Sequence, residues 1–365
     1  MKVALVNNHH PFSGAGKYAF NLLTNFRKFN KNVKMFYLET DSNKIEEISG
    51  VEKIKKNLGF TELNKSLLPY FWFTRKIPDG FDVYHATNQF LSKLAKYHKN
   101  CVITHMDIRP IAYPYDFRMK MVGVMLKHLL KYYKYAAKIL ALSEVVKNEL
   151  LEMGVVEEYV VDVVYPGYDP KVYKPFPKSK ARKKLNLPQD AKIVINVGSE
   201  EPVKNIPMLI NAVDQLQSGI PEIMLVRIGG SKESGKYWEK EIDAKNRINI
   251  MELQKIPESE MHLYYNAADV CVTPVLYGEG FLFPPLEAMA CGTPSIVSDE
   301  LKVFEKGSLV VPKDSIEELK DAIYKVLTKN SLSKQLSKKG LRDAKNFTLE
   351  KNVKNTYKAY EEIAS

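Results

Sequence analysis

The sequence predicts an α/β protein made of two open parallel-sheet domains in series. Three observations lead there. Short β-rich runs alternate with helix-like segments along the chain. Most of the runs are continuously apolar, as strands buried on both faces must be. A single proline- and lysine-rich break divides the alternation in two. At roughly 150 residues per domain, a chain of 365 residues has length for two buried cores.

In the first half the strand candidates are KVALVN, NVKMFYLET, FDVYHATN, NCVITHMD, KILALS and YVVDVVYPG. The break is YDPKVYKPFPKSKARKK, from Tyr168 to Lys184, where three prolines and clustered lysines interrupt any periodicity. After it come KIVINVG, EIMLVRIGG, INIMEL, VCVTPVL and PSIVS, separated by helices. The helix opening at Ser315 carries a capping box with Glu318. We place an N-terminal domain at 1–172, a C-terminal domain at 173–345, and a final helix at 346–365 that packs back toward the N-terminal domain. In sheets of this kind ligands lie at the carboxyl ends of strands, so the expected site is a central cleft faced by both domains.

Composition narrows the function. The net charge of +11 favours phosphates or an anionic lipid surface as partners. Nucleic acid is not expected, because the lysines are dispersed and no recognition module appears. Cys101, Cys271 and Cys291 form no metal-ligand spacing and read as buried thiols of a reducing compartment. The apolar core of MKVALVNNHHPF is too short for a signal peptide, and no run is long enough to cross a bilayer, so the expected location is cytoplasmic.

Four stretches offer chemistry. In YGEGFLFPPLEAMACGTPSIVSD, Glu279 stands in a loop and Glu287 on a helix that opens near Pro284 and Pro285, while Gly278 and Gly280 permit close backbone approach. These carboxylates can accept hydrogen bonds from sugar hydroxyls, or can be a helix-dipole partner and a solvated loop acid. In VGSEEPVKNIPMLI, Lys204 precedes a helix and suits a diphosphate, or is one more surface lysine. In HHPFSGAGKYAFNLL, Gly14 and Gly16 open a helix after the first strand, without the spacing of a Walker P-loop or a complete GxGxxG. In VITHMDIRP, His105 and Asp107 share a strand face and either orient an acceptor hydroxyl or serve structure.

Together with LALSEVVKNEL, VVYPGYD and LYYNAADVCVTP, these stretches resemble family 4 of the retaining glycosyltransferases, whose fold is GT-B. The resemblance implies two Rossmann-like domains and an E-x7-E motif matched by Glu279 and Glu287. It implies that Glu279 contacts the donor sugar and Glu287 the ribose. Gly280 and the backbone of Phe281, Leu282 and Phe283 would face the sugar and phosphates. Lys204 would bind phosphate, the Gly14 to Gly16 loop would approach the donor, and the loop around Gln254 and Ile256 would meet the base. Ser199 stands where many members carry arginine, and Leu282 where glycine is usual.

The implied activity is metal-independent, retaining transfer of a hexosyl group, mannose or glucose, from a GDP- or UDP-linked sugar, with no cofactor. The assigned roles are catalytic for Lys204, Glu279, Asp107 and His105. The acceptor is expected to be a glycan, a lipid or a polyprenyl-linked sugar. FRMKMVGVMLKHLLKYYKYAAK has six basic residues and no acid, with Lys127, Lys131, Lys134 and Lys138 at helical spacing. It reads as a face resting on the inner membrane surface, or as an ordinary solvated lysine face. The alternative functions are a glycosyltransferase-like scaffold subunit that has lost turnover, or another GT-B enzyme such as an epimerase or phosphorylase.

Overall fold

The computed structural model of the chain describes residues 1–29, 32–40, 43–55, 72–229, 249–254, 256–278 and 280–364. They fall into two compact units. The first contains Met1–Pro166, Gly280, Phe281 and the C-terminal helix Leu349–Ala364; the second contains Gly167–Gly278 and Leu282–Thr348.

The first unit has a seven-stranded sheet with every pairing parallel. Its strands are β1 (Lys2–Asn7), β2 (Asn32–Glu39), β3 (Val51–Lys55), β4 (Val83–Ala86), β5 (Cys101–His105), β6 (Lys138–Ala141) and β7 (Val161–Val163). The order is β3-β2-β1-β4-β5-β6-β7, so the direction of winding reverses between β1 and β4. Buried β-branched and aromatic residues such as Val6, Phe36, Ile103 and Ile139 form its core. The C-terminal helix locks onto this core through Tyr360, whose hydroxyl hydrogen-bonds His85 Nδ1 at 2.5 Å. Asn352 of the same helix donates to the Tyr165 carbonyl at 2.7 Å.

The second unit repeats the plan with six strands: β8 (Lys192–Val197), β9 (Ile223–Ile228), β10 (Asn249–Leu253), β11 (Val270–Thr273), β12 (Ser295–Ser298) and β13 (Leu309–Val311). The order β10-β9-β8-β11-β12-β13 reverses between β8 and β11. The helix Ile206–Leu216 and the helix Ile316–Thr328 pack Leu209, Val213, Leu319 and Ile323 against Val194, Leu225 and Val272. Ser315 Oγ accepts from the Glu318 N–H at 3.3 Å, as a capping box requires.

Several expectations change. β3 and β13 went unpredicted: the first alternates charged residues at a sheet edge, and the second has only three residues. The residues 178–184 of the expected linker are a helix of the second unit, pinned where buried Arg182 donates to the Ala267 carbonyl at 2.9 Å and pairs with Asp269 at 2.8 Å. The basic run is not one helical face either. Its helix is Phe117–Leu130, and Lys138 belongs to β6, where it pairs with Asp162 and Glu362 at 3.1 Å each.

Candidate functional site

In the second unit the predicted residues collect in loops that leave the carboxyl ends of the strands, on both sides of the β8/β11 reversal, where such sheets bind ligands. β8 leads into Gly198 and Ser199. The chain then makes a short 3-10 turn, Pro202–Lys204, and Asn205 takes a left-handed conformation before the helix Ile206–Leu216. A Cβ built on Gly198 would stand 3.7 Å from Cδ and Cε of Lys204, so the lysine's aliphatic chain lies along that glycine. Ser199 Oγ donates to Glu201 at 2.6 Å. The Val203 carbonyl accepts from the Leu276 N–H at 2.9 Å, tying this loop to the one after β11.

That second loop runs into the helix Phe283–Ala290, which has no side-chain N-cap. A helix start leaves four backbone N–H groups without an intrahelical partner. Pro284 and Pro285 have no N–H, so the N–H groups at this helix start are those of Leu282 and Phe283, beside the positive end of the helix dipole. Glu287 lies beyond the first turn and is buried, which removes the helix-dipole reading of it. It accepts a hydrogen bond from the Tyr265 hydroxyl at 2.8 Å. Burial, and then the neighbouring Glu287 charge, holds the Tyr265 phenol well above its ordinary range, so it acts as a donor. Tyr173, its ring 6.1 Å from Tyr265, donates to Glu258 at 2.6 Å. Gln254 is exposed just after β10, with Ile256 half-buried two residues on.

In the first unit the predicted residues are largely taken up by the fold. Ser13 caps the helix Gly14–Lys28, and its Oγ accepts the Gly16 N–H at 3.1 Å, so that N–H is committed inside the loop. Gly16 is required for packing: a Cβ there would meet the His10 carbonyl oxygen at 1.9 Å, whereas one on Gly14 would meet nothing within 4 Å. β5 ends at His105, so Asp107 lies in a loop and the shared strand face does not exist. Asp107 Oδ1 accepts from the Arg109 N–H at 2.9 Å. His105 is fully buried, with Nδ1 2.6 Å from the Tyr133 hydroxyl and Nε2 without a hydrogen-bond partner. Burial pushes its pKa down to about 3, which keeps it neutral. Gly280 adopts φ +64°, and a Cβ there would meet the Met106 carbonyl oxygen at 2.2 Å. Phe281 is buried with its ring 6.3 Å from that of Tyr165. Glu279 lies outside the described residues.

Two groups escaped the sequence reading. Arg227, in the middle of the β9 run, is buried and bonds the carbonyls of Gly198 and Ser199. A charge inside a buried parallel strand must be matched by partners, and that was the available signal. Tyr265 left no comparable trace, because its hydroxyl partner is distant in sequence. Among the described residues no group of three or more His, Cys, Asp or Glu side chains gathers as a metal site. Nor is any described helix long and apolar enough to cross a membrane.

Two Rossmann-like parallel-sheet units of this kind define the GT-B architecture. Residues 12–172 match the family described as Glycosyltransferase Family 4, and residues 177–343 match Glycosyl transferases group 1. The chain belongs to the group 1 glycosyltransferases. It is 27% identical over 239 residues to a D-inositol 3-phosphate glycosyltransferase of Kribbella flavida, covering 62% of this chain and 56% of that one. The chain spans about half, or less, of the length of the curated relatives it matches. Its fold superposes on a sucrose-phosphate synthase from Thermosynechococcus elongatus with a TM-score of 0.83 at 23% identity, covering 100% of this chain and 99% of the other. Anabaena HepE in complex with UDP-glucose superposes with a TM-score of 0.77 at 16% identity, covering 99% and 100%.

Proposed function

We propose that the chain transfers a hexosyl group from a nucleoside-diphosphate sugar to an acceptor hydroxyl, with retention at the anomeric carbon and without a metal ion. The observation behind this reading is that Lys204 and a helix start without a side-chain cap lie on two strand-end loops of the second unit, which the hydrogen bond from the Leu276 N–H to the Val203 carbonyl ties together. The physical problem in such a transfer is the charge that develops on the departing diphosphate. Donors fixed in advance toward that charge lower the barrier. Lys204 supplies a mobile positive charge, and the Leu282 and Phe283 N–H groups supply donors at a positive dipole end.

Glu287, oriented by Tyr265, takes the ribose hydroxyls, and Glu279 takes the donor sugar. Gln254 and Ile256 meet the base. In the first unit Asp107 serves the acceptor side. The Gly14 to Gly16 loop shapes the approach, but Gly16 does not lend its N–H. His105 stays in the core. GDP-mannose and UDP-glucose are the two donors to test first; the likeness to HepE, whose structure holds UDP-glucose, adds a reason to include the second.

Replacing Lys204 by alanine should slow transfer at least about 100-fold with folding intact, because it removes charge stabilisation from the transition state. Activity within twofold of the parent rules the role out. Turnover that EDTA abolishes and magnesium restores rules out metal independence.

The acceptor is proposed to be lipid-linked. The helix Phe117–Leu130 exposes Phe117 at 78%, Met121 at 47% and Val124 at 57%, a stripe at helical spacing. Exposed Arg118, Lys120, Lys127 and Lys131 accompany it. An apolar stripe among lysines suits the headgroup region of an anionic bilayer. Flotation with anionic vesicles should carry the protein, and Phe117→Asp with Met121→Asp should release it; equal flotation with neutral vesicles would contradict the electrostatic part.

A further inference from the structure

Strand β9 places one arginine in a row of buried apolar residues. Its side chain is 2% exposed, and a guanidinium cannot shed its charge to suit such a place. It is matched instead by one short stretch after β8. Arg227 Nη2 donates to the Gly198 carbonyl at 2.7 Å, to the Ser199 carbonyl at 3.1 Å and to Glu200 Oε1 at 3.1 Å. Nη1 donates to the Ile228 carbonyl at 2.6 Å. The Glu200 side chain is itself only 7% exposed. Three acceptors in consecutive residues are thereby fixed by one rigid planar group.

The stretch is the one on which Lys204 lies. We infer that Arg227 is a positioning residue for Lys204: its guanidinium sets the direction of the Gly198 and Ser199 carbonyls and so fixes the surface that carries the lysine. The Ser199 hydroxyl is taken up by Glu201, while the guanidinium reaches the Ser199 carbonyl from the adjacent strand. Its charge is largely offset by Glu200, so its contribution is geometric. Carbonyl oxygens turned toward Arg227 are not turned toward an arriving anion, whose negative charge they would repel. The inference rests on the reading that Lys204 faces the donor diphosphate.

Calorimetric titration of the full chain with UDP and with GDP tests it, using the tighter of the two. Lys204→Ala should weaken binding about tenfold or more, and Arg227→Met about tenfold, the scale of hydrogen bonds to a charged group. In the Lys204→Ala background, Arg227→Met should add less than about twofold, because its effect runs through the lysine. Arg227→Lys keeps the charge but loses the planar fork, so it should bind like Arg227→Met. It also carries the test if the methionine variant does not fold.

An undiminished Arg227→Met effect in the Lys204→Ala background would overturn the inference and leave the Lys204 reading standing, since Arg227 would then be general support. Parental binding by Arg227→Lys would overturn it too. Parental binding by Lys204→Ala, or no binding of either nucleotide by the parent, would remove the Lys204 reading and the inference with it.

Discussion

At the winding reversal of the first unit, the loops after β1 and β4 bring buried polar side chains together, and these bond mainly to one another and to nearby backbone. Asn88 Nδ2 donates to Asn8 Oδ1 at 2.8 Å, Asn7 Nδ2 to the His9 carbonyl at 2.9 Å, and Thr87 Oγ1 to the Val6 carbonyl at 3.0 Å. At the same point of the second unit stand Lys204 and a helix start without a side-chain cap. The topology is shared, and the polar groups are spent differently. A self-satisfied cluster stabilises the fold, because buried polar groups are costly without partners. A cation and the positive end of a helix dipole at the carboxyl edge of a sheet attract an anion.

The sharpest way to break this contrast is to remove a group from each side. Glu287→Ala should weaken nucleotide binding by about 10- to 100-fold, since in the proposed role it removes charge-assisted hydrogen bonds to the ribose. Asn88→Ala should leave nucleotide binding within about twofold and lower folding stability by about 1 to 3 kcal/mol, the cost of orphaning buried partners. Titration calorimetry and denaturant unfolding of both variants give the comparison. Stronger nucleotide loss in Asn88→Ala would reverse it.

Acid provides the next test. His85 and His105, both in the first unit, are buried and pushed down from 6.5 to about 3. The folded chain holds them neutral while the unfolded chain takes up protons near 6.5. Their contribution is therefore present above pH 6.5 and is lost as pH falls toward about 3, at roughly 1.4 kcal/mol per group per pH unit. Hydrogen exchange at falling pH, corrected for intrinsic rates, should show β4 and β5 losing protection before β8 and β11. The opposite order would place the acid-sensitive groups elsewhere.

A smaller effect is expected at Tyr265. Tyr265→Phe removes only the hydroxyl that holds Glu287, and should weaken binding of the ribonucleotide about fivefold or more while changing that of its 2′-deoxy counterpart less. Equal losses for both would mean that Tyr265 supports the helix and does not orient the carboxylate toward ribose.

Among the described residues, eleven of the thirteen strands were legible because buried parallel strands are written as apolar runs. β3 was hidden by its lysines and glutamate, which an edge strand tolerates. The candidate residues of the second unit were singled out by the resemblance to a known family, since their spacing alone left Glu287 as a helix-dipole partner and Lys204 as a surface lysine open. What that spacing does not encode is who bonds to whom across the sheet. Arg227 reaching Gly198, Tyr265 reaching Glu287 and His105 turning to Tyr133 are all contacts between distant segments. Ser13 capping Gly16 is local, and the serine three residues before Gly16 was a readable signal.

Hydrogen exchange of the full chain with and without saturating UDP or GDP tests directly whether the second unit's strand ends hold the donor's diphosphate. Exchange should slow at 198–204 and at 281–287 on adding nucleotide, with the effect at 198–204 lost in Lys204→Ala. Protection confined to 7–16 and 87–89, with none at 198–204 or 281–287, would contradict it.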